Sequence, residues 1–168
     1  MFFLSFTFFV YPASFALECS KSGAIAQGLI APVMAMMDVF GFVGGLAFSS
    51  LSRRIKKGAR FIAPFLFIIS YVFLGVIGGT AGMLIGSAFV GIANGIGVPF
   101  IMTSASAKAG KNAATTVMPL ISAALYLAQF MTPVILSTAG RIVSVNSFVI
   151  ALAAALLLAA VSLSISEE

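Results

Sequence analysis

The chain has 168 residues, of which 61% are hydrophobic and 8% charged, with a net charge of +5. So little polar surface cannot enclose a water-soluble globule, and apolar runs of about 20 residues fit helical spans, not the shorter strands of a barrel. One cysteine and no histidine exclude an internal disulfide and leave almost no material for a Cys/His metal site, so neither a metal nor a cofactor is expected. The expected class is an all-α integral membrane protein whose partner is the lipid bilayer. The positive charge sits mostly in two short loops, where it acts as a topology signal, and no nucleic-acid partner is expected.

A first helix is expected over about 2–17. It contains Pro12 but has no basic n-region, and Ala16, Leu17 and Glu18 before Cys19 make a poor lipoprotein cleavage site, so it reads as a span rather than a signal peptide. Thr7, Tyr11, Ser14 and Glu18 share one face of it. That pattern fits a helix beside a polar space, or hydroxyls satisfied by their own backbone. The second helix, about 24–51, carries Asp38 well inside its apolar run, too deep for the short side chain to reach water. Gln27, Ala31, Met34, Asp38, Gly41 and Gly45 fall on one face at about 100° per residue, which turns the acid towards protein or a wet cavity. Arg53, Arg54, Lys56, Lys57 and Arg60 then place the end of the helix among lipid headgroups.

The third helix, about 61–79, is apolar nearly all round except for Ser70 and Tyr71, and is expected to face lipid over much of its girth. The fourth, about 81–105, has small residues on two sides: Gly82, Gly86, Ala93 and Gly97 on one, Ala88, Gly91 and Gly95 on the other. Two neighbours can therefore approach it closely, which makes it central, with Asn94 between the two faces and Pro99 near its end. Lys108 and Lys111 mark a loop before the fifth helix, about 113–138, where Thr115, Pro119, Ser122, Tyr126, Gln129 and Pro133 form a polar stripe. The sixth, about 143–164, is built on ALAAALLLAA and should be peripheral.

If the loops alternate sides, seven cations lie on one side and two, Lys21 and Arg141, on the other. The basic loops and both termini are then cytoplasmic, in a plasma or inner cell membrane. The order polar, polar, apolar occurs twice, which is the hydropathy pattern of an inverted three-plus-three repeat.

With Gly45, Ser49, Ser52, Arg53 and Arg54 spaced like the loop motif G-x-x-x-D-x-x-G-R-R, the chain resembles the C-terminal six-helix half of a major facilitator superfamily transporter. GIANGIGVP is similar to that family's glycine-rich fourth helix of a half, and LYLAQFMTP to the GQF-x-S-P run of bacterial drug-efflux-like members. Ser49 and Ser52 stand where the motif has its acid and second glycine. The resemblance implies that the first, second, fourth and fifth helices surround a path. It also implies a twelve-helix whole of which this chain is a fragment, needing an N-terminal six-helix half, a second polypeptide or a second copy to transport. The expected function is secondary active transport of a small solute by alternating access, coupled to an ion such as the proton. Asp38 is the coupling candidate, and Tyr11, Met34, Asn94, Ser122, Tyr126 and Gln129 are candidates for lining the path. The alternative is a non-transporting membrane assembly subunit. An enzyme is not expected, because the chain has no Walker pattern, no histidine base and no intramembrane acid pair.

The topology makes a direct prediction. A cysteine replacing Lys57 should react with an impermeant thiol reagent from the cytoplasmic side alone, and one replacing Lys21 from the opposite side alone; the reverse pattern would invert the orientation.

Overall fold

A computed structural model describes residues 2–55, 58–142 and 146–164, with the side chains of 52–55, 59, 110–114, 141 and 142 excepted. The side chains of Arg53, Arg54, Lys111 and Arg141, and the whole of Lys56 and Lys57, lie outside the described residues. The elements are α1 (Phe2–Ser22), α2 (Gln27–Ile55), α3 (Ala59–Val72) running on into a π turn (Phe73–Ile77), α4 (Gly79–Ile142) and α5 (Ser147–Ser164). Six stretches within them are long and apolar enough to cross a membrane, and no strand occurs among the described residues. The chain is an all-α protein with six membrane-capable helices.

Several boundaries differ from expectation for local reasons. Helix α1 runs five residues further than expected, through Glu18, and ends where the Gly23 N–H donates to the Cys19 carbonyl at 2.9 Å with φ +62°, a glycine-type C-terminal stop. The third span ends in a π turn closed by the Gly78 N–H donating to the Phe73 carbonyl at 2.9 Å, and Gly78 and Gly79 both take positive φ. All six prolines lie inside helices, where neighbouring helices and hydroxyls can re-satisfy the freed carbonyls. Arg60, at the membrane-edge start of its span, holds its guanidinium 4.8 Å from the Phe61 ring centre.

The expected loop at Lys108 and Lys111 is not a break, since helical backbone continues from Gly79 to Ile142. A straight helix would hold Asn94 and Leu125 about 46 Å apart, yet both line one cavity. At the far end the Thr80 hydroxyl donates to the Ala24 carbonyl at 2.7 Å, while Gly140 lines a second cavity with Lys21. The direction of α4 therefore reverses between Pro99 and Leu125. Its first arm (Gly79–Ala109) and second arm (Thr115–Gly140) are antiparallel spans, as the sixfold reading of the sequence requires.

Helix α2 packs on the first arm of α4 through its glycines, α1 meets the same arm at Tyr11–Ser87 and Leu4–Gly97, and α3 meets it at Ser70–Gly86; α5 packs on α1 and α3. The first arm is thus the element that α1, α2 and α3 share. The small faces read from the sequence are both occupied. A Cβ on Gly44 would meet the Ile92 backbone at 2.8 Å, and one on Gly91 or Gly95 would overlap the carbonyls of Met37 or Gly41. On the other side Gly86 faces Leu74, and Gly97 lies against Leu4 and Ala63. The third span is less lipid-facing than expected, because Ser70 and Tyr71 are buried: Ser70 Oγ donates to the Gly86 carbonyl at 2.9 Å, and the Tyr71 hydroxyl donates to the Thr7 carbonyl.

Gly91→Ala and Gly95→Ala should each cost about 2 kcal/mol through overpacking against backbone, measured as thermal unfolding in detergent. Gly28→Ala, with nothing within 4 Å of the added carbon, should be neutral or stabilising by up to about 1 kcal/mol, because alanine is the better helix former.

Candidate functional site

Helices α1 and α2 and both arms of α4 converge near the start of α1, around a cavity of about 390 Å³. Two of its wall residues, Gly45 and Gly95, have no side chain, and Phe8, Phe9, Val98, Pro99 and Leu125 make the remainder apolar. Two polar side chains also line it. Ser5 is 2% exposed and its Oγ has no hydrogen-bond partner, and the half-buried Asn94 makes no hydrogen bond among the described residues. Among the buried hydroxyls of the described residues Ser5 is the one without a partner, whereas others bond the carbonyl one turn back: Ser14 to Val10 at 2.6 Å, Ser87 to Met83 at 2.5 Å and Thr132 to Ala128 at 2.6 Å. An apolar hollow with one hydroxyl and one amide left over can hold a small solute by shape and orient it by one or two hydrogen bonds.

The other residues singled out in the sequence are scattered around this hollow. Tyr11 does not face open space. It is fully buried in the core, its hydroxyl donating to Ser87 Oγ at 2.6 Å. The same holds for the polar face of α1: Thr7 and Ser14 are buried and bonded to their own helix, and Glu18 is buried against α5. Met34 is half-buried against the core.

Asp38 is exposed, about 80° around α2 from the Met37–Gly44 seam. It makes no ion pair or hydrogen bond among the described residues, and Tyr11 is within reach of its charge. On the second arm Ile121, Ala128 and Thr132 form the buried side, while Ser122 is half-buried and Tyr126 and Gln129 are exposed. The polar stripe thus points away from this chain's own core, and Asp38 and Gln129 are not gathered into the Asn94 cavity. Gly45 of the loop motif lines that cavity.

Ser5 carried no signal in the sequence, since nothing distinguishes one serine in an apolar run from the self-bonded ones. Glu18 was visible as an acid within reach of α1, but its burial follows only from the length of that helix. No family model, no curated protein and no solved structure matches the chain. Its chemistry is therefore read from the geometry.

Because Ser5 makes no bond to lose, Ser5→Ala should leave stability unchanged or raise it by up to about 1 kcal/mol. Ser70→Ala, which strips a buried hydrogen bond from the α3–α4 contact, should cost about 1 kcal/mol in the same detergent unfolding assay.

Proposed function

We propose that the chain is one six-helix half of a secondary transporter of the major facilitator type, moving a small solute by alternating access with proton coupling through Asp38. The observation that carries this reading is the convergence of four spans on a cavity in which Ser5 and Asn94 have no partners. Unpaired polar groups at membrane depth cost stability, and a bound solute would satisfy them. The polar, polar, apolar order of the spans, repeated once, suits an inverted repeat, the architecture that places transporter sites between its units.

Asp38 lies uncovered by its own chain, and an acid left facing hydrocarbon costs on the order of 3 kcal/mol. A second six-helix bundle is its natural cover, whether an N-terminal half, a second polypeptide or a second copy. Rocking of two bundles would then move Asp38 between environments, and a carboxyl that changes environment takes up and releases a proton. The small-residue faces are already filled from within the chain, which favours transport over the assembly-subunit reading. The basic loops and both termini are assigned to the cytoplasmic side of the cell membrane.

In the complete transporter, Asp38→Asn should preserve folding and solute counterflow in proteoliposomes while abolishing accumulation driven by a pH gradient. Full pH-driven accumulation by the variant would remove Asp38 from the coupling role. Absence of counterflow by the intact protein across a panel of solutes would speak for the assembly subunit.

A further inference from the structure

A second, larger cavity of about 630 Å³ opens at the other end of the bundle, between the end of α1, the second arm of α4 and the start of α5. Its one acid among the described residues, Glu18, is 8% exposed. Every contact of that carboxylate falls on one oxygen. Oε1 accepts from Ser147 Oγ at 2.9 Å and from the Ser147 N–H at 3.4 Å, and stands 3.9 Å from Lys21 Nζ. At the start of α5 Asn146 Oδ1 accepts from the Phe148 N–H at 2.8 Å, and Glu18 uses a single oxygen on the neighbouring Ser147. The hydroxyls beside Glu18 have spent their protons too: Ser14 donates to Val10, and Ser137 donates to the Val134 carbonyl at 2.9 Å. Glu18 Oε2, Ser14 Oγ and Ser137 Oγ therefore accept no hydrogen bond from the described residues, while the side-chain donors of the lining are the Lys21 ammonium, nearest Oε1, and the Asn146 amide.

We propose that this cavity binds a soluble organic amine, which enters ammonium-first and takes Glu18 as its counter-ion. An ammonium carries three donors and no acceptor, which matches the three open acceptors, and Leu17, Leu136 and Ile150 supply an apolar wall for the organic body. Lys21 lies almost one helical turn nearer the end of α1 and is largely exposed, so the acid is deep and the base is at the rim. An aminophospholipid has the opposite order, phosphate towards the membrane and amine towards water, which favours a ligand arriving from the aqueous phase. The inference does not depend on the transport reading, because it uses neither Asp38 nor the Asn94 cavity.

The test uses a Ser137→Cys protein with Cys19→Ala, reconstituted in phosphatidylcholine vesicles and labelled with a water-soluble maleimide. Phenethylammonium should slow labelling at least fivefold, whereas phenylacetate and neutral 2-phenylethanol, of similar size, should not. Adding Glu18→Gln keeps an acceptor for Ser147 and removes the charge; labelling without amine should be unchanged, and the amine concentration needed for protection should rise at least tenfold. Equal protection by 2-phenylethanol would make the cavity a plain apolar hollow and overturn the proposal. So would no protection by the amine, protection that survives Glu18→Gln, or labelling suppressed by phosphatidylethanolamine vesicles alone, which would identify a lipid headgroup. Should the Gln variant fail to fold, the comparison of amine, acid and alcohol on the Glu18 protein decides by itself.

Discussion

The structure depends on backbone meeting backbone along the seam between α2 and the first arm of α4. Inside a bilayer, burying apolar side chains against each other gains little over leaving them in lipid, so helices associate through close van der Waals packing. Gly41, Gly44 and Gly45 face Gly91, Ile92 and Gly95 without a side chain between most of them. That seam fixes the rotation of α2, and two consequences follow from the rotation. Gly45 and Gly95 become part of a cavity wall, and Asp38 is turned out to the flank of the bundle.

The polar groups of the interior divide into those that hold the fold and those that do not. Tyr11 with Ser87, Tyr71 with the Thr7 carbonyl, Ser70 with the Gly86 carbonyl and Glu18 with Ser147 each join two spans. The first three of these bonds are buried, where a lost partner is not replaced by water, so they fix how the spans meet as well as how tightly. Ser5 and Asn94 take no part in this, although they lie only a turn or two from residues that do. Every other buried hydroxyl among the described residues has a partner, whereas Ser5 and Asn94 stand unpaired at the convergence of four spans.

The six spans and the central place of the fourth were legible in the sequence, because span length is set by membrane thickness and small residues at helical spacing mark close approach. Gly82, Gly86 and Gly97 on one side and Gly91 and Gly95 on the other meet separate neighbours, as their spacing implied. What could not be read was which of several polar faces turns inward. Thr7, Tyr11, Ser14 and Glu18 form a polar face that is buried in the core, whereas Ser122, Tyr126 and Gln129 form one that the chain leaves largely uncovered. The two stripes look alike in sequence, since hydroxyls suit either setting when they can bond their own backbone. Likewise Ser70 and Tyr71, isolated in an apolar helix, mark its protein-facing side, a distinction that depends on what lies opposite.

The third and fourth spans are joined by a single residue: α3's π turn ends at Ile77, and α4 begins at Gly79. The turn carbonyl of Phe73 is capped by Gly78, while Leu74 is packed on Gly86, so the two spans lie side by side up to their junction. The length of the third span and the level at which the fourth begins are therefore tied to each other, and a residue inserted in either would have to be absorbed beside one glycine.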